Sequence, residues 1–112
     1  MAPDALQASF QQAKEFFRRE LGEHPAVVCH SWLLWPEHEK MLKPTSNIIY
    51  FLKLFDIFEV GYCENDCNLW RLFDTDERRP DRLPADSSAR RAYIELLKQG
   101  KQTGWGYGVL FL

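Results

Sequence analysis

The side chains best equipped for chemistry fall in a few places along these 112 residues. Cys29, His30 and Ser31 follow one another inside an apolar run, Ala26 to Trp35, where an unpaired imidazole or hydroxyl is costly to bury. Histidine exchanges protons near neutral pH, which makes His30 a candidate base. The other reading is a buried His and Ser hydrogen-bonded to nearby backbone. In an extended chain His30 shares a face with Val28 and Trp32, whereas Ser31 shares the opposite face with Cys29 and Leu33. The three therefore do not converge on one substrate, and any nucleophile needs a partner from elsewhere. Arg78, Arg79 and Arg82 precede Ser87 and Ser88, where a helix begins. Free N–H groups and guanidinium charges there suit an anion. The alternative is a solvated loop whose arginines balance Asp74, Asp76, Glu77, Asp81 and Asp86. Cys63 and Cys67 are spaced C-x₃-C, with only the remote Cys29 and His30 to complete four ligands. Structural zinc sites show two compact pairs, so no metal is expected and the thiols read as free. Tyr93 and Tyr107 can each give up a proton; Tyr93 sits on an apolar helix face, and Tyr107 stands between two glycines.

The elements that must position these residues follow from periodicity. Leu6, Phe10, Ala13, Phe17 and Leu21 mark an amphipathic helix from Asp4 to Leu21, with an Asp4–Gln7 capping box and Gly22 as its stop. Ala26–Trp35 is apolar on both alternating faces, which predicts a strand buried on two sides. Pro36 opens a short helix to Met41 or Leu42. Ser46 or Asn47 caps a third helix through Ile48, Phe51, Leu52 and Phe55, although its β-branched and aromatic content leaves a strand open. Asp56 to Asp74 reads as a hairpin, with Phe58, Val60 and Tyr62 on one strand, Leu69, Leu72 and Phe73 on the other and Glu64-Asn65-Asp66 as the turn between them. A polar loop follows from Thr75 to Asp86. Ala89, Ala92, Tyr93, Leu96 and Leu97 then form the apolar face of a helix closed by Gly100. The last strand begins at Trp105, its glycines standing where a neighbouring backbone or a ligand approaches closely. The expected fold is α+β with α/β-like layering: a small mixed sheet of about four strands, including an antiparallel hairpin, packed by three to four helices.

Composition bounds the rest. The length suits a single domain over residues 1–112. Apolar residues at 46% and aromatics at 14% supply a core without disulfides or metal. A net charge of −2 gives no global attraction to nucleic acid or anionic membrane. No apolar run reaches the ~20 residues of a membrane span. The start Met1-Ala2-Pro3-Asp4 lacks the basic-then-apolar pattern of a signal peptide, and three cysteines cannot all pair, so the cytoplasm is the expected compartment.

Several segments together resemble the C-terminal domain of bacterial two-domain GNAT-like N-acyltransferases. They are Cys29-His30-Ser31-Trp32-Leu33-Leu34, Ser46-Asn47-Ile48-Ile49-Tyr50-Phe51 with Phe55, Leu83-Pro84 ahead of Ser87-Ser88 and Arg91-Ala92, and Gly100 before the glycine-spaced last strand. The resemblance implies a GNAT-like sheet and transfer of an acyl group from acyl-CoA to an amine. It makes His30 and Ser31 candidate catalytic residues and Tyr107 (less readily Tyr93) the group that protonates the departing thiolate. Arg78, Arg79, Arg82, Ser87 and Ser88 become the candidate holders of the CoA pyrophosphate, because the family's glycine-rich turn has no counterpart before the Asp86–Gln99 helix. It also implies a partner: an N-terminal acyltransferase domain, or a second copy of the chain. The alternative is a non-catalytic interaction module that keeps the fold and pairs through exposed aromatics such as Trp35, Trp70 or Trp105.

Overall fold

The computed structural model describes residues 3–64, 69–75, 77 and 79–112. Helix α1 (Pro3–Leu21) leads into strand β1 (Ala26–Ser31), and a 3₁₀ turn over Trp32–Leu34 reverses the chain. Helices α2 (His38–Met41) and α3 (Asn47–Lys53), strand β2 (Asp56–Tyr62), helix α4 (Leu69–Phe73), helix α5 (Ser88–Lys98) and strand β3 (Gly104–Phe111) complete the described elements. Two of the three caps the sequence suggests are present, whereas the Asp4–Gln7 capping box is not: α1 already includes Pro3 and Asp4, and Gln7 Nε2 donates to the Tyr50 hydroxyl at 2.8 Å. The Ser46 hydroxyl accepts from Ile48 N and the Ser87 hydroxyl from Arg90 N, each at 3.2 Å. Gly22 (φ 83) and Gly100 (φ 72) take the left-handed conformation that ends α1 and α5.

Among the described residues the sheet has three strands in the order β1-β3-β2, and both pairings are antiparallel. The α+β class stands, but two expectations do not. The sheet is neither mixed nor four-stranded, and five α-helices are described rather than three or four. The second arm of the expected hairpin is helix α4: Leu69 and Phe73 are buried against Tyr93 and Leu83, and the three-and-four spacing of Leu69, Leu72 and Phe73 serves a helix as well as a strand. β2 pairs with β3 instead, and its hydrogen bonding extends to Cys63 N, which donates to Thr103 O at 2.9 Å. The turn residues expected at 65–66 lie outside the described residues.

All the helices whose packing is described sit on one face of the sheet. Leu34, Leu42, Ile49, Leu52 and Phe55 make one buried cluster with Val27 and Cys29 against it. Trp35, Leu69, Phe73, Leu83, Tyr93 and Ile94 make the other. The glycines of β3 set how closely these layers approach. A Cβ at Gly106 would overlap the Leu34 carbonyl, and one at Gly104 would overlap the Trp35 indole at its Nε1. The close neighbour foreseen for this strand is therefore the 3₁₀ turn and its flank.

Among the described residues nothing covers the opposite face. β1 ends at Ser31 and is not buried on two sides: Val28 is 54% exposed and His30 is exposed too. The reason is the short sheet, which has helices on one side only.

Candidate functional site

His30 and Tyr107 meet on that open face. They are paired across β1 and β3, so their side chains leave the sheet on the same side. The rings stack at 5.3 Å between centroids and 12° between planes. Trp105 meets the His30 ring edge-on at 4.4 Å, and Phe58 tilts against Tyr107 at 4.8 Å. Phe58 reaches this face through a bulge between Ile57 and Glu59. Trp105 lies across Gly61, where a Cβ would overlap the indole ring. The result is a row of four aromatic rings running from β2 to β1, with an imidazole in its middle.

Ser31 is not part of this row. It points to the helix side, and its hydroxyl accepts from Leu33 N at 3.1 Å, capping the 3₁₀ turn. Cys29 also faces the helices, and burial pushes its thiol pKa up. The expectation that Cys29, His30 and Ser31 would not converge agrees with this geometry. Among the described residues no group of three His, Cys, Asp or Glu side chains is placed to hold a metal. Cys63 is buried, and Cys67 lies outside the described residues.

The arginine group is spread along a loop. Arg78 lies outside the described residues. Arg79 is exposed and grips Glu77 through Nε at 3.1 Å and Nη2 at 3.2 Å, which raises its pKa. Arg82 ends a 3₁₀ turn, Pro80–Arg82. Ser87 spends its hydroxyl on the Arg90 N–H, and Ser88 is the first residue of α5. Asp86, held below its usual pKa by the Arg90 guanidinium 2.8 Å away, stands at the same end. Because Ala89 and Ala92 of α5 pack into the core, this group belongs to the helix layer. The sheet separates it from the His30–Tyr107 pair.

One polar constellation escaped sequence reasoning. His38 of α2 is fully buried, and its Nε2 lies 2.5 Å from the Tyr93 hydroxyl. Trp32 and Trp35 close over the ring edge-on. Burial pushes the His38 pKa down to about 4; the Leu33 carbonyl pulls weakly the other way without the geometry of a full hydrogen bond. Burial also raises the Tyr93 pKa, with nearby Cys63 adding to it. Both groups are thus neutral at physiological pH and serve the core. Trp35 belongs to this interior at 2% exposure, so it is not the surface aromatic that sequence reading made it, whereas Trp70 is 53% exposed. The signal for His38 was slight: one polar residue three places before the apolar pair Met41-Leu42.

Beside Trp35 an open groove of about 1010 Å³ runs between α2, α5 and the end of β2, floored by Met41, Ala92 and Leu96 and flanked by Tyr62. No described helix is long and apolar enough to cross a membrane.

The family model for the GNAT-like C-terminal domain matches residues 1–110, and the chain belongs to that family. Solved structures agree. An acyltransferase in complex with decanoyl-CoA and teicoplanin superposes with a TM-score of 0.83 at 30% identity, covering 100% of this chain and 37% of that one. An acyltransferase mutant in complex with octanoyl-CoA gives 0.82 at 30% identity, again over 100% and 37%. An acyltransferase in complex with decanoyl-CoA gives 0.82 at 25% identity, over 98% and 35%. The chain thus spans little more than a third of the length of the acyltransferases it matches. No curated protein matches it in sequence.

Proposed function

We propose that this domain serves as one part of an acyl-CoA-dependent N-acyltransferase that passes an acyl group from the CoA thioester to an amine. The observation that carries this reading is the superposition of the whole chain on acyltransferases bound to decanoyl-CoA and octanoyl-CoA. In that reaction the amine nitrogen attacks the thioester carbonyl and the carbon–sulfur bond breaks. The nitrogen loses a proton and the thiolate gains one. His30 and Tyr107 suit the two proton transfers, since their rings lie side by side on an open face. Ser31 holds the turn beneath His30 through its bond to Leu33 N and acts as a positioning residue. Arg79 and Arg82, with the free N–H groups at the start of α5, are the groups of this chain suited to the CoA phosphates. They lie in the other layer, so a single CoA reaching both must pass around the edge of the sheet. The partial coverage of the relatives supports a further region that completes the site, for which an N-terminal acyltransferase domain is the natural candidate.

Isothermal titration of the folded chain with decanoyl-CoA tests this, beside an Arg79→Ala/Arg82→Ala variant and a His30→Ala/Tyr107→Phe variant. Saturable binding weakened by the first variant supports the phosphate site; weakening by the second supports the open face. No binding of any acyl-CoA by a folded sample overturns the reading of this chain as a CoA-contacting part. The exposed aromatic row favours a second reading, a non-catalytic interaction module, which predicts docking to a protein without acyl-CoA binding.

A further inference from the structure

We infer that the buried His38–Tyr93 pair positions the open face from behind, by fixing the 3₁₀ turn on which the His30, Trp105 and Tyr107 rings depend. A role for those rings in the reaction rests on the acyltransferase reading above; the coupling rests on contacts alone. His38 and Tyr93 are fully buried, and their bond joins α2 to α5 across 55 residues of chain. A polar pair is costly to desolvate, and leucine or phenylalanine would fill the same space without that cost. Its placement supplies a reason for it. Trp32 meets the His38 and Tyr93 rings edge-on at 5.8 and 6.2 Å, and Trp35 meets the same two rings at 5.7 and 6.5 Å. The His38 N–H also donates to the Trp35 carbonyl at 3.1 Å. One hydrogen-bonded pair therefore holds the aromatic residues at both ends of the turn.

Two routes lead from the turn to the row of rings. The first follows the chain. Ser31, next to His30, accepts from Leu33 N at 3.1 Å, so a rotation of the turn also rotates the end of β1. The second crosses the sheet. The inward positions of β3 are Gly104 and Gly106, whose bare backbone lies on the Trp35 indole and the Leu34 carbonyl. Trp105 and Tyr107 alternate with these glycines and so leave the strand on the open side. There they hold the His30 ring at 4.4 and 5.3 Å. A side chain at 104 or 106 would absorb a displacement of the turn by changing rotamer; backbone against backbone does not. Close-packed interiors are barely compressible and pass such displacements on. Breaking the His38–Tyr93 bond frees the turn, and the change emerges on the far side of the sheet as altered stacking of His30.

Proton–carbon NMR of the histidine rings tests this. The chain has three histidines, and the His30 signals, assigned by their loss in His30→Gln, carry the ring currents of Tyr107 and Trp105. Tyr93→Phe deletes a single hydroxyl on the other side of the sheet. The result expected is that the His30 ring signals lose at least half of their displacement from free histidine. Trp32→Phe, which shortens the ring that meets the pair, moves them in the same direction. Gly22→Ala is the control: it strains the left-handed stop of α1, away from both routes, and leaves the His30 signals at their wild-type positions. Dispersed amide signals certify the fold of each variant, and if Tyr93→Phe does not fold, Trp32→Phe decides by the same criterion. Unmoved His30 signals in the folded variant overturn the proposal. So does an equal movement in Gly22→Ala, which would make the change a mark of general loosening. Titration with decanoyl-CoA separates the two readings. A wild-type chain that binds none, while its variants shift His30, loses the acyltransferase reading and keeps the positioning pair. A chain that binds it with His30 unmoved in the variants loses the positioning pair alone.

Discussion

Replacing Gly106 by alanine tests the packing argument most sharply. The added Cβ falls inside the contact radius of the Leu34 carbonyl oxygen, 2.6 Å from its carbonyl carbon and 3.0 Å from its Cβ. The obstacle is backbone in a 3₁₀ turn whose side chain, Leu34, is fully buried, so no rotamer change relieves it. The turn must lift from the central strand, and its side chains must leave their places in the core. Overpacking of this kind costs 1–3 kcal/mol where neighbours can shift, and a rigid backbone puts this case at about 3 kcal/mol. A domain of this length loses about 4–8 °C of Tm per kcal/mol, so the midpoint falls by about 12 °C or more. The comparison is Gly61→Ala, whose Cβ has the Trp105 ring on the open face as its nearest obstacle. That side chain can swing into solvent, and the expected cost is about 1 kcal/mol. Urea unfolding followed by tryptophan fluorescence measures both. Equal costs for the two variants, or a Gly106→Ala midpoint within error of wild type, would refute the claim that β3 and the turn are locked together.

Other expectations concern the buried pair and the helix caps. Tyr93→Phe leaves His38 Nε2 without its partner in a dry interior and is expected to lower stability by about 1–3 kcal/mol in the same assay. The His38 proton gives a pH signature. The unfolded ring takes up a proton near 6.5 and the folded ring only near 4, so unfolding binds a proton between those values. Stability is then flat above pH 6.5 and falls by about 3 kcal/mol as pH drops to 4; His38→Gln should remove most of that slope in urea titrations across the range. Ser87→Ala removes the cap of α5 and should cost about 1 kcal/mol by thermal unfolding, restored in Ser87→Asp.

Local order was the legible part of this sequence. The three-and-four spacing of Leu6, Phe10 and Ala13, the Ser46 and Ser87 caps and the Gly22 and Gly100 stops all reflect forces acting within a few residues, and the structure keeps each of them. Partnership between distant segments was not legible. β2 looked like one arm of a hairpin because turn residues follow it, yet its partner begins at Gly104. The face of β1 that appeared buried is open because no local signal tells whether helices cover one side of a sheet or two. Of the site, His30 and Tyr107 could be named from residue type, but their stacking depends on a register set across 77 residues of chain. His38 could not be named, since what distinguishes it is Tyr93, 55 residues away.

The strand order β1-β3-β2 also carries a consequence for synthesis. The central strand is the last of the three in sequence, and the two outer strands make no pairing with each other. A nascent chain that has emerged only as far as α5 holds its helices and two strands with no sheet between them. Both outer strands then lack their described pairing partner until residues 104–111 arrive, and for that interval their edges are open to pairing with a neighbouring chain.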